Sequence, residues 1–537
     1  MEHSRWCALG IFVVVASVAC SGGKGGAEPA ASSGAGGDGG AGAKPGAGSS
    51  GSPSSGGKSG AAGGSAGSAS GGSGAAAECA ELAACCSSVT DSTLQGVCSS
   101  GAQVDCGLTL SILIANGQCQ PDPGAGLPPV TLDGSWSEPS QVDNLLWQGQ
   151  TVSISSPIIH ACGEGDALAA WFFQSGEVGQ VQVARYLSAS GSWQVMKQVD
   201  QNSGYRPGEP LLAVTPSCEA LVVWEERLPV LGSSSDEYTL VGASYDGSVF
   251  SSPVTLQPLS TARIEAPYIA VSPEGDGVVI FKRGQQLFHQ PYGVGSGVQA
   301  AEAVGEASLG PGYVASLSDG TTLQVHTTYD SVTSTSAVLF QLLTSAWSEP
   351  KPLLDTSGGA PQRLVTVAAG DRFYVFYPTE GALRFVSVTS AGVVSEPSMV
   401  AQASAEASVA AYGEHVLVAW KDGKQIRAAR RVAGGDWAEP TTISFEAHEV
   451  LDFDVAVAPD GAAMLAYQSV DYDVFANRLA ASGEWLGPHA VASSGTGPRL
   501  EATEGGAFWL SYNGSYGGLA MPQRAAWIQR FTPNAAP

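Results

Sequence analysis

The feature that most limits what this chain can fold into is a unit that recurs from about residue 130 to the end. A proline and an aromatic residue stand with thirteen residues between them: Pro157 and Trp171 (PIIHACGEGDALAAW), Pro210 and Trp224, Pro267 and Phe281, Pro498 and Tyr512. Weaker copies start at Pro311 and Pro361, and two without the proline end at Trp420 and Tyr467. Each copy reads as a strand, a tight Gly/Asp turn, and a second strand of small or branched apolar residues. With anchors at 171, 224, 281, 325, 375, 420, 467 and 512, the spacing runs from 44 to 57 residues. Four short antiparallel strands and their turns need about 40–50 residues, whereas an immunoglobulin-like sandwich needs about 100. The period therefore predicts an all-β chain built as a β-propeller, whose blades bury their faces on one another and whose closure removes free edges.

A second phrase fixes the blade's outer strand. SWSEP at 135–139 returns as AWSEP at 346–350, VVSEP at 393–397, DWAEP at 436–440 and EWLGP at 484–488. It follows the third strand and opens the fourth, where proline is tolerated because its missing N–H faces solvent. The phrase reads as structural, with its Trp packed between blades. The first SWSEP has no strands before it, and the last unit stops after its third strand, RAAWIQRF at 524–531. The N-terminal strand should therefore complete the C-terminal blade, giving eight blades over 130–537. Seven is the alternative, since the unit around Pro311 is degraded.

The N-terminal 121 residues have a different texture. Residues 1–20, MEHSRWCALGIFVVVASVAC, carry Arg5, an apolar stretch too short to span a bilayer comfortably, and small residues before Cys20. This resembles a bacterial lipoprotein signal, which implies lipid on Cys20; ordinary secretory cleavage after Ala19 is the other reading. Residues 21–77 are almost wholly Gly, Ser and Ala, cannot offset the entropy of ordering, and read as a disordered tether spanning roughly 40–45 Å. Residues 78–121 hold Cys79, Cys85, Cys86, Cys98, Cys106 and Cys119, with three short helical patterns. A segment this small needs staples, so three disulfides of undetermined connectivity are expected in a cysteine-rich mini-domain. It has neither a CxxC pair nor a histidine, so zinc is not indicated. Cys162 and Cys218 fall in the first turns of adjacent units, and a disulfide between blades one and two is expected.

The balance of 24 Lys and Arg against 49 Asp and Glu, a net charge of −25, argues against nucleic-acid partners. There is no HExxH, GxSxG or P-loop, the seven histidines are scattered, and neither a cofactor nor a metal centre is implied. The repeat resembles the sialidase-like (BNR or Asp-box-like) propellers of bacterial surface proteins, through fragments such as SLSDGTTL (316–323) and VSPEGDGVVIF (271–281). That resemblance implies a propeller and leaves a glycan-cleaving hydrolase as an alternative activity. The nearest match to the family's early Arg-Ile-Pro is ARIEAP at 262–267, in the wrong unit and without the proline. No catalytic residue is assigned.

Binding should instead use the loops between second and third strands. EERLPVLGSSSDEYT (225–239), TTYDSVTSTS (327–336) and SVDYDV (469–474) put Glu225, Glu226, Asp236, Tyr238, Asp330, Asp471, Tyr472 and Asp473 on one face. Carboxylates beside aromatic rings suit sugars, and oxygen ligands also suit weak Ca²⁺ binding. The expectation is a protein exported to the outer membrane or cell surface and held by a lipid anchor. Its propeller recognises glycans or other surface proteins without catalysis. A structural envelope component is a further alternative.

Overall fold

A computed structural model describes residues 132–534, apart from 143–151, 164, 176–177, 200–204, 230–235, 273–274, 307–312, 331–332, 334, 345, 355–360, 362, 380, 403–405, 433, 446–448, 494 and 517–522. The expected signal, tether and cysteine-rich mini-domain lie outside the described residues. The described chain is all β, in eight antiparallel sheets that form the blades of a propeller.

Blade one comprises Val152–Ile154 with Ile158–Cys162, then Asp166–Ser175, Val178–Leu187 and Ser192–Gln198. The same order of inner strand, two middle strands and outer strand repeats through blade seven (Val450–Val457, Ala463–Ser469, Val474–Leu479, Trp485–Ala492). Blade eight takes Gly495–Ala502, Phe508–Tyr516 and Gln523–Pro533 from the end of the propeller. Its outer strand is Gly134–Trp136, antiparallel to the last, with Gly134 opposite Pro533 and Trp136 opposite Phe531. The ring closes as the count of phrases requires, with eight blades.

Period-two alternation explains the core. In blade seven, Ala463, Leu465 and Tyr467 pack with blade six, while Met464 and Ala466 pack with blade eight. Because a blade is covered on both faces, its second strand is a continuous apolar run, as in Ala220–Trp224, every residue buried. The aromatic anchors Trp171, Trp224, Phe281, Trp420, Tyr467 and Tyr512 are all buried.

The phrase has a specific hydrogen-bonding job. Ser137, Ser348 and Ser395 each donate their backbone N–H to a third-strand carbonyl (Arg530, Leu342 and Ser387), at 2.8–2.9 Å. Each hydroxyl then accepts the N–H of that same third-strand residue at 2.9–3.0 Å. The serine thus satisfies both groups of one residue just where the proline starts the edge strand. The preceding Trp or Val enters the seam with the previous blade: Trp136, Val394, Trp437 and Trp485 each join such a cluster. The glutamates Glu138, Glu349, Glu396 and Glu439 are exposed.

Candidate functional site

Chain direction assigns the two ends of the ring. Turns between first and second strands, and between third and fourth, share one end, called the turn face here. Loops between second and third strands share the other. Cys162 and Cys218 lie in neighbouring turns and are joined by a disulfide, with Cα atoms 5.0 Å apart.

The eight residues expected to bind ligand all sit at the loop end, but on blades two, four and seven, which are not neighbours in the ring. Glu226 is buried and accepts the Trp224 indole N–H at 3.1 Å; Asp236 pairs with Arg227. Glu225 and Tyr238 lie on facing strands of blade two, and Asp330 ends the second strand of blade four. Burial raises the Glu225 carboxyl to about 7, against the opposing pull of Arg263 and Arg227. Asp471, Tyr472 and Asp473 form a tight turn in which the Ser469 hydroxyl accepts the N–H groups of Asp471 and Asp473, each at 3.2 Å. Tyr472 is exposed there, with φ +67°. Among the described residues no group of three or more His, Cys, Asp or Glu side chains is placed to hold a metal ion.

The axis is lined by inner strands of all eight blades, as cavities of about 200 and 270 Å³ that share His160 and Ala411. Its polar groups are mostly engaged with one another. Arg499 donates to Asp452 at 3.1 Å; Asp454 accepts the Ser408 hydroxyl at 3.0 Å and the Leu500 N–H at 2.9 Å. Burial raises Asp454 to about 6, opposed by Arg499 and these hydrogen bonds. His160 Nδ1 stands 3.4 Å from Glu501. These contacts stitch blades six, seven, eight and one together. Arg499 is taken up by two carboxylates, which does not suit a subsite for an anionic substrate.

The seam between blades three and four differs from the rest. Among the described residues its buried core is Val278, Ile280, Leu287 and Val314, where the other seams bury eleven to fourteen. A groove of about 780 Å³ opens into it from the turn face, lined by Asp276, His289, Glu302, Ser316, Thr322, Gln341, Trp347 and Glu349 among others. Third strands differ in what they send across a seam. The third-strand residue opposite the position three before the anchor is Arg185, Arg430, Arg478 and Arg530 in blades one, six, seven and eight, and Ser244, Leu343 and Thr389 in blades two, four and five. These arginines reach the next blade. Arg185 donates to the Tyr245 hydroxyl at 2.9 Å, Arg478 lies 4.9 Å from the Phe531 ring centre, and Arg530 lies 5.8 Å from that of Tyr186. In blade three the equivalent is Pro291, opposite Val278, which is too short to cross.

The half-buried Trp347 forms one wall, its ring 5.3 Å from that of His289 and tilted by 31°. His289 Nε2 lies 3.3 Å from Glu302 Oε2; burial lowers its pKa despite that carboxylate. Gln341 donates to the Ser348 carbonyl at 3.0 Å, and its buried Oε1 has no partner among the described residues. Directly opposite on the next strand is Gln324, fully buried, with neither amide atom paired among the described residues. Such an arrangement offers a ring face and several hydrogen-bonding groups at one opening, the chemistry a sugar requires.

No protein-family model matches the chain, and no curated protein matches it. Among solved structures, the chain is similar to the BP39L lectin from Burkholderia pseudomallei (14% identity, 64% of this chain and 99% of that one, TM-score 0.40). It is also similar to a prolyl endopeptidase (13%, 68% and 55%, TM-score 0.45) and to the Aleuria aurantia lectin (14%, 54% and 97%, TM-score 0.32). At this level the likeness is one of fold.

Proposed function

We propose that this protein is an exported glycan-recognition module, held at a membrane surface by lipid on Cys20 and binding sugar without catalysis. The observation that carries the reading is the groove between blades three and four. A tryptophan wall, a buried amide oxygen without a partner among the described residues, and carboxylates at the rim converge there, beside Pro291. The Gly/Ser tether inferred from the sequence would hold the propeller clear of the lipid.

A glycan-array screen of the purified, oxidised protein, with and without Ca²⁺, tests this. Selective binding is expected. Trp347→Ala should weaken it at least tenfold, since truncating a central aromatic anchor costs about 2 kcal/mol or more. Pro291→Arg should abolish it by filling the groove as Arg185, Arg478 and Arg530 fill theirs. A blank array from folded protein, or binding indifferent to both variants, overturns the reading.

A further inference from the structure

We infer that the groove sorts sugars by charge, preferring a free amino group over a neutral hydroxyl and rejecting a carboxylate. This rests on the glycan reading above and adds the class of ligand. The titratable groups among the described lining residues are Asp276, Glu302, Glu349 and His289, with no lysine or arginine. Asp276 and Glu349 are exposed at the turn face, and the Glu302 side chain is 74% exposed beside His289. All three carboxylates are solvated, and burial lowers the pKa of His289, against a compensating cation there.

The nearby cations point elsewhere. Lys351, just past the phrase, directs its Nζ toward the turn of blade five, where a Cβ on Gly392 would meet it at 3.5 Å. Lys282 donates to Glu265 at 3.0 Å, and Arg283 bonds the Pro258 carbonyl at 2.9 Å on the side of blade two. The arginine that crosses from blades one, six, seven and eight is Pro291 here, so no cation at that position enters the groove from blade three. Gln341 Oε1 adds an uncharged acceptor in the same lining, and acceptors favour ligands rich in N–H and O–H donors. The carboxylates and the Gln341 oxygen of the lining thus select for donors and positive charge.

The test uses matched sugars that share ring stereochemistry: glucose, glucosamine and glucuronic acid, each as an oligosaccharide, and the galactose series likewise. Binding to the whole oxidised protein is measured by calorimetry at pH 7. The amino sugar should bind about tenfold more tightly than its neutral partner and the uronic acid about tenfold more weakly, the size expected of a few partly solvated charges. Both gaps should shrink at 0.5 M salt. Glu349→Gln should narrow the spread between amino sugar and uronic acid about threefold; an unchanged spread counts against the charge inference. A uronic acid bound as tightly as the amino sugar, and lost in Trp347→Ala, overturns the charge inference while leaving glycan binding intact. No binding of any series overturns both.

Discussion

The Cys162–Cys218 disulfide gives the sharpest stability test, because its effect is set mainly by the unfolded chain. The bond closes a loop of 56 residues between blades that already share a core of Leu168, Val183, Leu212, Val222 and Trp224. A further backbone bond, Gly163 N–H to the Pro216 carbonyl at 2.8 Å, joins the same two turns. Breaking the disulfide should therefore leave the folded ring nearly unchanged while freeing the denatured chain. On the loop-entropy model that costs about 4 kcal/mol at 25 °C. Cys218 also holds φ +64°, a left-handed backbone that disfavours any side chain. Replacing it by serine keeps that strain; replacing it by glycine removes up to about 1 kcal/mol of it. Urea unfolding of the oxidised protein, Cys162→Ser/Cys218→Ser and Cys162→Ser/Cys218→Gly should thus rank in the order oxidised, glycine variant, serine variant. A loss below about 1 kcal/mol in both variants would refute the reasoning, since it would mean the denatured chain stays compact around blades one and two without the bond.

Two further outcomes follow from buried groups. Asp454 and Glu225 both have folded pKa values above their ordinary ones, at about 6 and about 7, so both bind protons more tightly when folded. Their contribution is full below about pH 4 and is lost as pH rises through 6 to 7, by about 3 kcal/mol at most for Asp454. Urea midpoints between pH 4.5 and 7.5 should fall, with a shallower slope in Asp454→Asn; an equal slope would remove Asp454 as the cause. Gly134→Ala should loosen the ring closure by about 1–3 kcal/mol, because its Cβ would meet Phe531 Cζ at 2.5 Å. Amide exchange of Phe531 and Thr532 should accelerate, and unchanged protection would count against that tight approach.

Much of the architecture was legible because a repeat averages away local ambiguity. One hairpin such as PRLEATEGGAFWLSY has many readings, but eight at a period of 44–57 residues have few. The unpaired SWSEP at 135–139 even gave the closure, since a phrase that opens an outer strand must find its blade elsewhere. The groove was harder to see. Trp347 and Glu349 belong to a phrase that is structural in its other copies, and the thin seam beside them makes theirs a wall and a rim. No short stretch of sequence marks that seam: VARYL, AARRV, ANRLA and IQRF carry the cross-seam arginine, but GASYD, QLLTS and VSVTS lack it as HQPYG does, and their seams are full. The residues expected at the loop end share a composition and a face, but their loops belong to units that do not follow one another in the chain. Blades two, four and seven do not adjoin.

Closure by the first strand also sets a schedule. Gly134–Trp136 is made first, yet its partner Gln523–Pro533 follows roughly four hundred residues later, about 20–80 s at ordinary rates of synthesis. Throughout that interval blade one shows a bare flank, Ile159, Trp171 and Phe173, that only the final blade covers. The waiting strand is three residues long and runs into Ser137, Glu138 and Pro139, a composition poorly suited to pairing with the wrong edge. The short, polar form of this strand lets the chain wait without committing early, and the ring becomes a single cooperative body only when its last strand arrives.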